Sequence, residues 1–127
     1  MAILNYAQKR AQNAFNAANT IKGGSHGGQA VAKQVATQIR ENGFIGALAF
    51  AIERKEGGYK NPGHQSVFDA IRKHLTDVKK LDSSCNDTDV MLKQVAKGDM
   101  DQLRMITAEA IEYMNFLRRF AKPKQDQ

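Results

Sequence analysis

The sequence predicts an all-α protein, a single domain over residues 1–127 built as a bundle of about six helices around one buried helix. Three observations support this prediction. Apolar residues recur at helical spacing along most of the chain, and no stretch of four or more residues alternates as a β-strand would. One stretch, residues 44–52, is apolar on every side, and such a helix is expected to be surrounded by others.

The central helix is predicted to cover residues 44–55, with Phe44 and Leu48 on one face and Phe50 pointing nearly the opposite way. Asn42 and Gly43 precede it. A glycine there can adopt a positive φ and end one helix tightly before the next begins. Gly46 lowers helix propensity, so we interpret it as a point where a neighbouring helix approaches closely.

Apolar stripes predict five further helices, over residues 2–21, 29–42, 64–81, 88–96 and 99–121. Residues 23–28 contain four glycines and are interpreted as a flexible linker that orders on a partner. Residues 56–63 are a second break, rich in glycine. Residues 122–127 follow the last helix and are expected to form a flexible tail.

Composition indicates a soluble protein of the cytoplasm. The mean hydropathy is −0.53, and no apolar run approaches the roughly 18 residues that a membrane span needs. The N-terminus lacks the charged-then-apolar order of a signal peptide. The single cysteine, Cys85, lies in a polar stretch and is interpreted as a surface thiol, which suits a reducing compartment.

The distribution of charge favours a polyanionic partner. The net charge is +6 and the pI is about 9.6. Residues 1–40 contain five basic side chains and no acid, residues 113–124 contain four and no acid, and the acids lie mainly between them. Basic ends of this kind are typical of a surface that binds nucleic acid, although a merely solvated basic surface has the same composition.

Lys33 and Arg40 are the leading candidates for contacts to nucleic acid. They lie opposite the apolar face of the helix predicted over residues 29–42. They are two turns apart, about 10 Å, and this distance is compatible with contacts to successive backbone phosphates. On the fourth helix, two basic stripes are predicted, one of Arg72 with Lys79 and one of Lys73 with Lys80. The full set of candidate RNA-binding residues is Arg10, Lys33, Arg40, Arg104, Arg119 and Lys122.

No pattern in the sequence predicts a catalytic site, a metal site or a cofactor. The three histidines are far apart, and His74 falls near an apolar face, where a packed neutral imidazole is expected. Glu109 and Glu112 share one side of the last helix and could hold a cation. Without further ligands nearby, we interpret them as a solvated face.

Several motifs together resemble a known family. The first group follows the pattern "K…I..NG…ALAF" and consists of Lys33, Ile39, Asn42, Gly43 and residues 47–50. The second follows "T.EA..Y…LKRFA" and consists of Thr107, Glu109, Ala110, Tyr113, Leu117 and residues 118–121. The early Lys9, Arg10 and Ala11 also fit. In this order they resemble the all-helical small subunit of the type III-B CRISPR effector, the Cmr complex. Phe44 replaces the usual leucine and Phe116 the usual tryptophan.

The resemblance implies a non-catalytic RNA-binding subunit in antiviral defence. Its expected partners are the crRNA, the target RNA, the backbone and large subunits of the effector, and neighbouring copies of itself. In that family the other subunits carry out target cleavage, DNA cleavage and nucleotide cyclisation. Backbone contacts by Lys and Arg do not depend on base sequence, as a guide-programmed complex requires.

Two other functions remain open from the sequence. One is a helical DNA-binding regulator, although no short helix-turn-helix pair with a polar recognition helix is present. The other is a small enzyme whose site is assembled from residues that are distant in sequence. Sequence preference on duplex DNA would favour the first, and hydrolysis of RNA abolished by one acidic substitution would favour the second.

Overall fold

The computed structural model describes residues 5–23 and 27–123. In chain order its elements are α1 (Tyr6–Ala17), a 3₁₀ turn (Ala18–Thr20), α2 (Gly27–Ala51), β1 (Arg54–Lys55), β2 (Gly58–Tyr59), α3 (Pro62–Asp77), α4 (Thr88–Lys97) and α5 (Met100–Phe120). The predicted all-α class is confirmed. The helix count is five because the predicted second and third helices form one element, α2. None of the helices in the described ranges is long and apolar enough to cross a bilayer.

Three of the helices, α1, α4 and α5, begin where a local side chain accepts a hydrogen bond from a free N–H group of the first turn. Asn5 and Gln8 form a reciprocal capping box at the start of α1. Asp87 accepts a hydrogen bond from the Val90 N–H at the start of α4, and Asp99 does the same for Gln102 at the start of α5. These caps fix the beginnings of three helices from purely local sequence.

The centre of the bundle is the second half of α2, packed between α3 and α5. Phe44 and Leu48 are buried there, and the Phe44 ring meets the Phe68 ring edge-on at 5.5 Å. The expectation that this segment is surrounded on every side was wrong, because Gly46 and Ala49 are exposed. Among residues 5–23 and 27–123, no neighbouring helix approaches Gly46. The nearest atom to a β-carbon built there is Asn42 Cβ, in the same helix, at 3.5 Å.

Gly43 produces a kink in the middle of α2. Its backbone angles are φ 81° and ψ 163°, which no helical residue has. This region of conformational space is essentially restricted to glycine. The predicted break at Asn42 and Gly43 is therefore present, as a change of direction within one helix.

The start of α2 is held by the segment that follows α5. The Gln29 N–H donates to the Lys122 carbonyl at 2.9 Å, and Gly27 and Gly28 are buried. A side chain at Gly27 would collide with the backbone of Lys122 and Pro123. The predicted linker is thus wrong at these two glycines, while residues 24–26 lie outside the described residues. Of the predicted tail, Lys122 and Pro123 pack against α2 and residues 124–127 are not described.

A small antiparallel hairpin was missed by the sequence prediction, which contained no strand. Arg54 pairs with Tyr59 and Lys55 with Gly58. The turn consists of Glu56 and Gly57, and both Gly57 and Gly58, the first residue of β2, have a positive φ, 89° and 144°. Two residues per strand are too few to give an alternating pattern, so periodicity could not have revealed them.

The helix α3 ends at Asp77, earlier than the predicted residue 81, and the chain then reverses. Lys79 and Lys80 therefore do not extend basic stripes along α3. Arg72, the other member of one stripe, is bound by Asp69 and by the Cys85 carbonyl at 2.9 Å. Cys85 itself is buried, which corrects its interpretation as a surface thiol, and burial raises the pKa of its thiol.

Candidate nucleic-acid interface

The outer face of α2 presents the two leading candidates from the sequence, Lys33 and Arg40. Both side chains are exposed, while Val35 and Ile39 on the other side of the same helix are buried. Within the described ranges, neither candidate has a carboxylate at ion-pair distance. All nine ion pairs of these ranges involve other residues. Their charges therefore remain available to a ligand.

A cleft of about 550 Å³ lies beside Lys33. Side chains from both halves of α2 and from the start of α3 line it: Ala30, Lys33, Gln34, Thr37, Gln38, Phe50 and His64. The Phe50 and His64 rings lie 5.1 Å apart, and His64 Nε2 is 3.3 Å from Gln34 Oε1. Burial lowers the pKa of His64, so its imidazole is neutral at pH 7 and Lys33 carries the charge of the cleft.

The sequence did not predict that His64 lines this cleft. The helical position of Phe50, in contrast, indicated that its ring could lie outside the core. The helical period places Phe50 away from the core face of its helix, and an exposed aromatic ring of that kind can line a cleft. His64 reaches the cleft only because the kinked α2 and the start of α3 meet, and a helical period cannot reveal which elements meet.

The basic residues at the C-terminal end are exposed but spread out. Arg119 lines a small pocket with the exposed rings of Phe15 and Phe120, whose centroids are 5.6 Å apart. The Lys122 carbonyl is bonded to Gln29, one helical turn before Lys33. Arg104 precedes Arg119 by about 22 Å along α5. It lies 3.7 Å from Asp101 and is 73% exposed.

Arg10 differs from the other candidates because its guanidinium group is already bound inside the protein. Its Nε donates to Glu109 Oε2 and its terminal nitrogen to Glu109 Oε1, both at 2.7 Å. The Arg10 side chain is 19% exposed and that of Glu109 is 6% exposed. A two-pronged pair of this kind fixes both side chains and holds α1 to α5.

Glu109 is the centre of a buried polar network, which corrects its interpretation as part of a solvated face. His74 Nε2 lies 2.8 Å from Glu109 Oε2, and the Asn13 amide nitrogen lies 2.9 Å from His74 Nδ1. An amide donor at Nδ1 places the imidazole proton on Nε2, where it donates to Glu109. The ring of His74 also stacks on Tyr113 at 4.4 Å. Glu112, by contrast, is exposed.

The network explains the protonation of its members. Burial lowers the pKa of His74, and this outweighs the opposite influence of Glu109, whose charge Arg10 already neutralises. Burial alone would raise the pKa of Glu109, but the hydrogen bonds from Arg10 and His74 bring it below its usual value. The expected neutral, packed His74 agrees with this geometry.

Metal chemistry has no visible basis in the part of the chain that the structure describes. No group of three or more His, Cys, Asp or Glu side chains is placed there to hold an ion. The geometry instead offers electrostatic binding of an anion, because exposed Lys and Arg side chains lie on helices next to a cleft with aromatic and amide groups.

Comparison with known proteins agrees with the helical fold. A family model described as CRISPR-associated protein (Cas_Cmr5) matches residues 6–123. The crystal structure of a CRISPR-associated Cmr5 family protein from Thermus thermophilus is similar, with a TM-score of 0.69 and 20% sequence identity. That similarity covers 92% of this chain and 95% of the other. A comparison with curated proteins gives no match. Because the family model spans nearly the whole sequence, the chain belongs to the Cmr5 family of CRISPR-associated proteins.

Proposed function

We propose that this type III-B effector subunit is non-catalytic and binds RNA, contacting the crRNA–target RNA duplex or the target strand through the basic outer face of α2. The observation that carries the proposal is the exposure of Lys33 and Arg40 on one helix, with no carboxylate of the described residues at ion-pair distance from either. Membership of the family supports a place in the effector complex but does not favour the DNA-binding regulator.

The physical basis of the proposal is charge at fixed spacing. Lys33 and Arg40 are separated by about 10 Å along α2, so they can reach different phosphates of one strand. Contacts of this type position a nucleic acid without reading its bases. The net charge of +6 adds a long-range attraction to the polyanion.

Further contacts are proposed for Lys122, Arg119 and Arg104. Lys122 is the best placed of these, since its backbone is bonded to the start of α2. Arg10 is the weakest candidate, because binding a phosphate would require it to leave Glu109. The other effector subunits and neighbouring copies of this chain are proposed to complete the RNA channel.

The test is the double variant Lys33→Ala/Arg40→Ala in the assembled effector complex. We expect weaker binding of target RNA, by a similar factor for unrelated sequences, and a salt dependence whose slope falls by about one for each phosphate contact removed. Affinity is measured at two salt concentrations on single-stranded RNA and on guide–target duplex. The matched control is Lys93→Ala/Lys97→Ala, which removes two basic side chains from α4.

The proposal for this face fails if the α2 double variant folds, assembles and binds RNA like the unmodified protein at both salt concentrations. An equally large decrease in the α4 control would show that only net charge matters. In the first case Arg104, Arg119 and Lys122 become the next residues to test.

A further inference from the structure

Lys79 adopts a backbone conformation that normally belongs to glycine. Its φ is 63°, and it is the one non-glycine residue with a positive φ in the described ranges. It follows the last turn of α3, where the Lys79 N–H donates to the Thr76 carbonyl at 3.1 Å and the Lys80 N–H to the Leu75 carbonyl at 2.8 Å. This pair of bonds is the Schellman motif, in which the residue at the place of Lys79 is most often glycine.

A lysine at this position is unfavourable for the fold itself. A β-carbon is crowded in the left-handed region, whereas glycine adopts it freely. The side chain of Lys79 is exposed, so burial does not compensate for the strain. No ion pair of the described residues includes Lys79. Strained positions of this kind cluster where the side chain has a function.

The surroundings of Lys79 are basic and aromatic. A cleft of about 420 Å³ between the start of α1 and the end of α3 is lined by Asn5, Tyr6, Lys9, Asp77, Val78 and Lys79. The one acid among these, Asp77, accepts hydrogen bonds from Lys9 and Asn13. The ammonium of Lys80 lies 5.3 Å from the centre of the Tyr6 ring, which is 48% exposed. Neither Lys79 nor Lys80 forms an ion pair with a carboxylate of the described residues.

We infer that Lys79 and Lys80 form a second RNA contact, which binds a backbone phosphate at the end of α3. The inference rests on the proposed function and extends it to a face built from α1 and α3. Lysine offers a point charge with rotatable donors, which suits a phosphate oxygen approached from variable directions. Residues 1–40 contain no acid, so the α1 side of this cleft adds no repulsion toward RNA. An acidic surface of another effector subunit would be a different partner, and the test separates the two.

The decisive variant is Lys79→Gly, because glycine at this position should stabilise the fold and weaken RNA binding. Removing the strain should raise Tm by about 2–5 °C. Removing one phosphate ligand should weaken RNA binding about 2- to 10-fold at physiological salt and reduce the salt slope by about one. Lys79→Arg should keep the affinity, and Lys79→Asn, which tolerates a positive φ, should weaken it as Lys79→Gly does. The single variant Lys93→Ala on α4 controls for net charge.

Three outcomes would overturn the inference. The first is Lys79→Gly binding RNA with unchanged affinity in an intact complex. The second is a Tm that does not rise, since the strain argument would then be wrong. The third is that Lys79→Gly assembles poorly into the effector complex, while the complexes that do form bind RNA normally. That result would identify a protein partner. Weaker binding by Lys79→Gly together with normal binding by Lys33→Ala/Arg40→Ala would disprove the α2 face and leave this contact standing.

Discussion

At the scale of single residues, one buried carboxylate organises three helices. Glu109 on α5 receives Arg10 from α1 and His74 from α3. Arg10 neutralises the carboxylate, so His74 can stay uncharged and donate only a neutral hydrogen bond. A buried carboxylate is unfavourable unless it is paired and hydrogen-bonded, and this one is both.

Replacing Arg10 should therefore change the protonation of His74. In Arg10→Met, Glu109 loses its cation, and the imidazole becomes the nearest group that can supply a positive charge. We expect the pKa of His74 to rise and the free energy of unfolding to fall by about 2–3 kcal/mol. NMR titration of the His74 ring and chemical denaturation measure the two effects. The control is Lys9→Met, which removes an exposed ion pair to Asp77 and should cost less than about 0.5 kcal/mol.

The pH dependence of stability has a definite sign for this network. Because the folded-state pKa of His74 is lowered, the unfolded state binds more protons, and stability falls as the pH drops through the unfolded value of about 6.5. His64 adds a change of the same sign. In Arg10→Met the His74 contribution should shrink. An unchanged His74 titration in that variant would contradict the role assigned to Arg10.

The sequence predicted which side of its own helix a residue occupies, but not which residues of other helices it contacts. Lys33 and Arg40 were placed correctly on the outer side of α2, because the period of the helix determines it. Arg10 and Glu109 are separated by 99 positions, and their pairing depends on α1 and α5 being neighbours. Periodicity contains no information about that choice, so Arg10 was proposed as an RNA ligand while its partner was assigned to a solvated face.

At the scale of elements, the two glycines in the middle of α2 have opposite roles. Gly43 creates the kink, at a φ of 81°, and Gly46 lies in the following helical segment with no neighbouring helix against it. The kink lets Phe50 reach the same cleft as Lys33. The sequence predicted the break at Gly43, but the helix contact that it predicted at Gly46 is absent from the part of the chain that the structure describes.

Alanine at each of these glycines gives a matched pair of variants. Gly43→Ala forces a β-carbon into a glycine-only conformation and should destabilise the protein by about 1–3 kcal/mol. Gly46→Ala improves helix propensity and should stabilise it by up to about 1 kcal/mol. Chemical denaturation of the two variants measures both. Equal effects of the two substitutions would mean that the kink is not held by Gly43.

Local caps made the starts of α4 and α5 predictable but not that of α1, which begins at Tyr6 after its capping box and not at the predicted residue 2. The starts of α4 and α5 agree within a residue because Asp87 and Asp99 are capping residues next to apolar stripes. The end of α3 was missed because Lys79, and not glycine, occupies the left-handed position after it. A sequence rule that looks for glycine cannot find a helix end of that kind.

At the scale of the whole molecule, the helical bundle presents basic side chains such as Lys33, Arg40 and Arg119 on its outside. In the described ranges no cluster of potential metal ligands is present. The proposed non-catalytic role predicts that the purified protein does not cleave labelled RNA with or without Mg²⁺ or Mn²⁺. Activity is measured across the fractions of a final size-exclusion step. Metal-dependent cleavage that follows the protein peak and disappears in a variant such as Glu112→Gln would refute this.

The fold class was predictable because nearly every segment has a helical period, and the family resemblance was carried by motifs that are spread along the chain. The architecture around the cleft was not predictable, because it depends on which helices pack together. Residues such as His64 and Tyr113 gain their environment only through those contacts.

The hydrogen bond between the start of α2 and the segment after α5 has a consequence for folding during synthesis. The ribosome synthesises α2 long before Lys122, whose carbonyl receives the Gln29 N–H, and before Tyr113 and Leu117, which complete the core. A nascent chain that lacks residues 100–123 therefore exposes the part of the apolar face of α2 that α5 covers, and the Gln29 N–H lacks its partner at Lys122. We expect folding to finish only once residues 100–123 have emerged, with the growing polypeptide depending on chaperones and open to proteases until then.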